Sequence, residues 1–281
     1  DYLKAMHPSA TLHMSEPTWP NHPGVFAAAG VAVKTYPYFD AAGNALDFDA
    51  MISALGAISA GDVVLLHGCC HNPTGVDLAP GDWAAVAEIC AARGLLPVVD
   101  LAYQGLGDGV AEDVAGLRHM AEAMPEMVVC VSGSKSFGLY RERVGAVLAL
   151  AEAGAMRDRV AARLADLNRQ AFTFPPDHGA RVVTTVLSDA SLRADWEAEL
   201  AEYRARVVAM REALVAALRA ETGSDRFDFL ARHRGMFSLL GARRDEMDRL
   251  RGEHGVYAVQ DGRINLAGLT PRNAGDAARA I

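Results

Sequence analysis

The stretch Val63-Val64-Leu65-Leu66-His67-Gly68-Cys69-Cys70-His71-Asn72-Pro73-Thr74-Gly75 begins as a strand and ends as a turn. Its apolar run is short and unbroken, as a buried strand requires. Asn72-Pro73-Thr74-Gly75 then supplies what stops one, since Pro73 fixes φ and Gly75 frees the backbone to reverse. Trp83 to Arg93 reads as an amphipathic helix that Gly94 can terminate with positive φ. Leu95 to Asp100 returns as the next strand. Strand, crossover helix and strand make the α/β pattern. Met127 to Val131 and Arg143 to Leu150 extend it with a third and a fourth apolar, β-branched segment.

Further out, Ala151 to Arg169 favours helix, and Asp189 to Glu221 is spaced for one very long helix or two in series. Beyond it, Phe227 to Leu230, Gly235 to Leu240, Tyr257 to Val259 and Arg263 to Leu266 are predicted strands flanking an Arg-rich helix. The expected organisation is a large α/β domain over residues 1–190 and a smaller α/β domain over residues 191–281. No repeat or Gly/Ser linker separates them.

The 281 residues are 51% hydrophobic and 22% charged, a mix that builds a sizeable core and differs from disordered or fibrous chains. Against 35 acidic side chains stand 27 basic ones, a net charge of −8. No basic block is present to neutralise a phosphate backbone, so no nucleic-acid partner is expected. The apolar runs fall well short of the roughly 20 residues of a spanning helix, so no membrane partner is expected either. Asp1-Tyr2-Leu3-Lys4 lacks the character of a signal peptide, and opening on Asp1 points to a chain already in progress. Cys69, Cys70, Cys90 and Cys130 lie in apolar stretches without a C-x-x-C spacing, which suits a reducing cytoplasm.

In open α/β sheets, ligands bind beyond the carboxyl ends of the strands. The first such end holds His67 and His71 with two thiols between them. Zinc would need a helix or knuckle spacing and a second ligand pair, neither of which is present, so no metal is expected. What remains is a turn, with Asn72 available as a neutral amide facing a ligand. The second end is Val99-Asp100-Leu101-Ala102-Tyr103, an acid leaving a buried strand with a phenol three residues on. Buried, Asp100 must pair with a cation or proton donor, whether an Arg, a cap or a ligand.

The third end is Ser132-Gly133-Ser134-Lys135-Ser136-Phe137-Gly138-Leu139-Tyr140, followed by Arg141-Glu142-Arg143. A P-loop would place Gly directly before the Lys and again five residues earlier, where this chain has Ser134 and Val129. Lys135 is one of only three lysines among the 27 basic residues. It is either a solvated Lys in a Gly-Ser turn or an amine nucleophile whose pKa is lowered in a partly desolvated cationic site. Taken together, the three ends fit pyridoxal 5'-phosphate. Lys135 can form the Schiff base, and Asp100 can hold a proton on the pyridine nitrogen. Asn72 and Tyr103 can bond the ring hydroxyl, while Ser132, Ser134 and Arg143 grip the phosphate.

The chain resembles the class I pyridoxal-phosphate aminotransferases, in particular the aspartate and aromatic amino acid group. The resemblance runs through Pro17-Thr18-Trp19-Pro20-Asn21-His22, His67 to Gly75, Asp100 to Gly105, Ser132 to Gly145, Pro175-Pro176, Gly235-Met236-Phe237-Ser238 and Gly262-Arg263-Ile264-Asn265-Leu266-Ala267-Gly268, in that order. It implies the type I fold of pyridoxal-phosphate transferases: a mixed, mostly parallel sheet sandwiched by helices, plus a partial smaller α/β domain. It further implies a cytoplasmic homodimer that moves an amino group between an aromatic amino acid or aspartate and 2-oxoglutarate, in ping-pong fashion. Lys135, Asp100 and Tyr103 would be the catalytic residues.

By the same resemblance, Trp19 stacks on the cofactor ring and His22 backs Asp100. Arg263 forks the substrate α-carboxylate, Arg169 reaches across a dimer to a side-chain carboxylate, and Phe237 walls the substrate, which Trp19 and Asn72 also touch. Without it, these residues read as core packing and surface arginines. Phe174 tilts the expected preference toward aromatic substrates. Family members carry an amino-terminal part not seen here, so a fragment is expected. Other reactions of the same fold, such as decarboxylation or elimination, and a noncatalytic remnant are the rival readings.

Overall fold

The computed structural model describes residues 1–281. Its strands are β1 (Thr11–Glu16), β2 (Ala32–Pro37), β3 (Phe39–Asp40), β4 (Ala45–Leu46), β5 (Val63–His67), β6 (Leu96–Leu101), β7 (Met127–Ser132), β8 (Gly145–Leu150), β9 (Phe237–Leu239) and β10 (Arg263–Asn265). Six form one sheet in the order β2-β1-β5-β6-β7-β8. Only β8 runs antiparallel, so the sheet is mixed and mostly parallel, as expected. His67 pairs with Asp100, and Asp100 with Cys130. The carboxyl ends of β5, β6 and β7 are therefore level, and the loops that leave them start from one place.

The helices are α1 (Tyr2–Met6), α2 (His22–Ala28), α3 (Phe48–Gly56), α4 (Pro80–Arg93), α5 (Ala115–Ala123), α6 (Ala155–Phe172), α7 (His178–Ser188), α8 (Ala190–Thr222), α9 (Arg244–His254) and α10 (Ala274–Ala280). In α4, Trp83, Val86, Ala87 and Cys90 form the buried stripe, Pro80 occupies the first turn, and Gly94 closes the helix at φ 63°. Alternation along β5 feeds both faces of the sheet. Val64 and Leu66 join the core under α3, α4 and α5, whereas Val63 and Leu65 join Leu3, Leu12 and Met14 on the other side.

Asp189 accepts hydrogen bonds from Ser191 and Leu192 N–H and so starts α8, which runs 33 residues without a break to Gly223 at φ 63°. Of the two layouts open for this segment, the single helix is the one observed. Its Leu200 belongs to the sheet core, while Val207, Leu214 and Leu218 pack with Phe227, Leu230 and Leu266 in a separate core beside β9 and β10. Residue 190, the expected domain division, is the first residue of this shared helix.

Two expected strands do not form. Residues Asp228–Arg232 make a 3₁₀ turn, which carries the adjacent Phe229 and Leu230 to the same core as Phe227. Tyr257 to Val259 pairs with no strand: Tyr257 is exposed, and Val259 N–H closes a turn onto Arg263 O. No helix is long and apolar enough to cross a membrane.

Candidate active site

Asp100, near the end of β6, receives the Nε2 of His22 at 3.0 Å. Burial pushes its carboxyl pKa up, but the His22 hydrogen bond and the electrostatic surroundings made by His67, His22 and Lys135 outweigh that and hold it below the usual carboxylate value. The acid therefore stays ionised. Thr18 Oγ1 lies 2.8 Å from His22 Nδ1 and 3.2 Å from His67 Nε2. A neutral His22 that donates through Nε2 accepts at Nδ1, so the Thr18 hydroxyl fixes the tautomer that faces Asp100. His71 uses both ring nitrogens, on Ser15 Oγ and Thr74 Oγ1. Burial brings its pKa down to about 3. The two histidines of the β5 loop are thus neutral groups with hydrogen-bond partners inside the fold.

Lys135 follows β7 in a loop tied at several points. Ser134 N–H donates to Ser132 Oγ, Ser136 Oγ donates to Gln104 O, and Trp196 Nε1 donates to Ser136 O. The Lys135 Nζ sits 4.8 Å above the Tyr103 ring centroid. Burial lowers its pKa, Asp100 pulls it back up and Arg143 pushes it down, leaving the amine below its ordinary value. Arg143 stands at φ 53° and donates Nη1 to Tyr140 O.

A continuous chain joins the amine to the smaller core. Arg263 Nη1 donates to Asn72 Oδ1 at 2.6 Å, and Asn72 Nδ2 donates to Tyr103 Oη at 3.2 Å. Burial raises the Tyr103 pKa to about 12, so the phenol keeps its proton. Phe237 meets the Tyr103 ring edge-on at 6.3 Å and lies 5.1 Å from the Arg263 guanidinium. The Arg263 Nε is buried without a hydrogen-bond partner; the nearest carboxylate, Asp261, is 3.8 Å away.

These groups surround a cavity of about 290 Å³, walled by Trp19, by Asn72, Asp100 and Tyr103, and by Ser132, Ser134, Lys135 and Arg143. His67, Ala102 and Tyr140 complete the wall. Trp19 is partly exposed and packs edge-on to His22. His22 stands behind Asp100, and Arg263 and Phe237 stand behind Asn72 and Tyr103. Arg169 takes no part: it is exposed in the last turn of α6, 5.9 Å from the ring of the exposed Phe174.

Sequence reasoning did not single out Asp113, Thr18 or the α8 side chains. Asp113 accepts the N–H groups of Gly105, Gly107, Asp108 and Gly109 and so shapes the loop after Tyr103. Closely spaced glycines in Gly105-Leu106-Gly107-Asp108-Gly109 were its only signal, as backbone N–H groups of such a loop converge on an anion.

The donor set fits pyridoxal phosphate. An ionised carboxylate suits a pyridine N–H, and an amide with a protonated phenol suits a ring oxygen. Hydroxyls beside a guanidinium suit a phosphate, and a desolvated amine suits an aldehyde.

The family model for aminotransferase class I and II matches residues 3–281. The aromatic-amino-acid aminotransferase of Paracoccus denitrificans is 50% identical over 281 residues, all of this chain and 71% of the relative. The aspartate aminotransferase of Salmonella typhi is 44% identical over the same length and shares. A crystal structure of the aromatic-amino-acid aminotransferase from Burkholderia pseudomallei, covalently bound to pyridoxal phosphate, superposes with a TM-score of 0.95 at 44% identity, covering 99% of this chain and 70% of that one. Fold and relatives together define a pyridoxal-phosphate-dependent transaminase. The chain belongs to the class I and II aminotransferase family.

Proposed function

We propose that this enzyme passes an amino group between an aromatic amino acid or aspartate and 2-oxoglutarate, working as a cytoplasmic homodimer. The observation that supports the site assignment is the unbroken chain Arg263, Asn72, Tyr103, Lys135, which runs from a guanidinium behind the cavity wall to an amine on that wall. Bound there, pyridoxal phosphate supplies an electron-withdrawing ring that makes the substrate Cα–H acidic.

The chain's own residues do the rest. Asp100, oriented by His22, accepts the ring N–H, and Ser132, Ser134 and Arg143 take the phosphate. Trp19 covers the ring face, and Tyr103 with Asn72 bonds the ring oxygen. Arg263 turns its free Nε edge to the substrate α-carboxylate, a bidentate task for which Lys is a poor substitute. Lys135 Nζ, made less basic by burial, would take the proton from the substrate Cα and hold it as an ammonium beside the site.

The name of the Paracoccus relative and the apolar Phe237 wall support aromatic substrates. Exposed Phe172 and Phe174 beside Arg169 support a subunit contact that places Arg169 in the partner's site. Four free cysteines suit the cytoplasm.

Glutamate formation from 2-oxoglutarate, with tyrosine, phenylalanine and aspartate as donors, tests the reaction. Peptide mapping after borohydride reduction of the holoenzyme tests the site. The label is expected on Lys135, and Lys135→Ala is expected to lose it together with at least about 10²-fold in rate. Label on Lys4 or Lys34, or no turnover with any donor, overturns the reading.

A further inference from the structure

Helix α8 carries three side chains that bond to backbone carbonyls around the site. Trp196 Nε1 reaches Ser136 O at 2.7 Å, next to the amine, and Arg204 Nη1 reaches Gly105 O at 2.9 Å, past Tyr103. The third, Arg211, is buried and has no carboxylate within ion-pair distance. Its Nη1 donates to Leu230 O at 3.0 Å and Ser238 Oγ at 2.6 Å; its Nη2 donates to Gly235 O at 2.7 Å and Phe237 O at 3.4 Å.

A buried guanidinium without a counter-ion costs more than an apolar side chain of the same length. What the cation adds is direction, because a planar fork holds three carbonyls and a hydroxyl in one arrangement. The held segment interlocks with the turn that bears Asn72. A Cβ on Gly235 would come within 2.4 Å of Cys70 Cβ, and one on Gly75 within 2.4 Å of Phe237 O. Arg234 N–H donates to Gly75 O at 2.7 Å. Phe237 also opens β9, whose antiparallel ladder with β10 pairs Phe237 with Asn265 and Leu239 with Arg263. One guanidinium thus governs the strand that presents Phe237 and the register of the strand that presents Arg263.

We propose that Arg211 is a positioning residue for substrate: it sets the spacing between the Phe237–Arg263 wall and the Asn72–Tyr103 turn, and so the affinity for the substrate carboxylate. This rests on the reading of Arg263 as the carboxylate fork. Arg211 itself stays out of contact with the substrate.

Calorimetric titration of the holoenzyme with 3-phenylpropionate, an aromatic carboxylate that cannot react, tests it alongside steady-state kinetics with tyrosine. Arg211→Lys, whose single ammonium cannot serve the fork, is expected to raise Kd and KM about tenfold, equivalent to about 1.4 kcal/mol. Its kcat should stay within about twofold and the bound-cofactor absorbance should be unchanged, a split that a general loss of structure would not produce. Arg263→Lys is the control: if it binds the probe as the wild type does, the carboxylate-fork reading fails whatever Arg211 does. If Arg263→Lys weakens binding while Arg211→Lys and Arg211→Met bind normally well below their Tm, the positioning role is overturned. Should both Arg211 variants fail to fold, Ser238→Ala, which removes the shortest acceptor and with it the His233 Nδ1 partner, is read in a His233→Gln background; a Kd raised about threefold over His233→Gln alone supports the role, and an unchanged Kd refutes it.

Discussion

Asp100 shows how much of its chemistry lies outside the residue itself. Buried alone, its carboxyl would hold a proton more tightly; the His22 hydrogen bond is the largest influence reversing that. Removing it has a predictable sign. In His22→Leu the Asp100 pKa rises, so the acid limb of the kcat/KM profile moves toward neutral pH and activity is lost earlier as pH falls. An acid limb that stays in place would show that His22 does not act on Asp100. Asp100→Asn removes the charge itself and is expected to lower kcat/KM by at least about 10²-fold, with Asp100→Glu retaining more activity. At this scale the cavity wall was legible wherever a rare residue type stood at a strand end. Lys135 stood out among 24 arginines and only three lysines, and Asp100 because an acid leaving an apolar strand needs a partner. Arg211 carried no such mark. Its sequence setting is that of any helix arginine, and only the folded helix turns it inward.

At the scale of elements, β5 to β7 were legible because strands buried on both faces read as plain apolar runs. β1 was not, because His13 and Ser15 interrupt it, each buried with a hydrogen-bond partner. β2 lies at the sheet edge with mostly exposed side chains, so it lacks that signal too. Phe227-Asp228-Phe229-Leu230 misled in the opposite direction: it opens with strand-like alternation, yet it coils as a 3₁₀ turn that brings the adjacent Phe229 and Leu230 to one core with Phe227. The turn after β5 makes the sharpest prediction here. Gly75 stands at φ 73° with Phe237 O, His233 Cβ and Arg234 O around the place a Cβ would take. Gly75→Ala must adopt a left-handed conformation and displace backbone, so a loss of about 3 kcal/mol is expected from urea unfolding. A loss below about 1 kcal/mol would mean that the 233–238 segment yields freely, which would also weaken the clamp assigned to Arg211.

For the whole molecule, the buried histidines decide how stability responds to acid. His71 is brought down to about 3 and His233 to about 4, in each case chiefly by burial, and His67 lies well below its ordinary value for the same reason. All three stay neutral in the fold at pH values where the unfolded chain, at about 6.5, binds a proton. Between those limits the unfolded state binds more protons, so stability falls as pH falls, by up to about 1.4 kcal/mol per group per pH unit. Asp77 works against them. Burial raises its carboxyl to about 6 although Cys70 and His71 N–H groups bond to it. Between about 4 and 6 the folded state takes up that proton first, which stabilises the fold as pH drops. Three groups oppose one, so the unfolding free energy is expected to decline from pH 7 to pH 5. His233 bridges Ser238 Oγ and Asn44 O, holding the β9 segment to the β3–β4 hairpin. Replacing it by glutamine removes one titrating group while keeping both kinds of hydrogen bond. His233→Gln should therefore give a shallower decline than the wild type over the same interval, measured by urea unfolding at each pH. Parallel curves for the two proteins would mean that His233 is protonated in the fold, and that the segment bearing Phe237 carries one more positive charge beside Arg211 than these contacts allow.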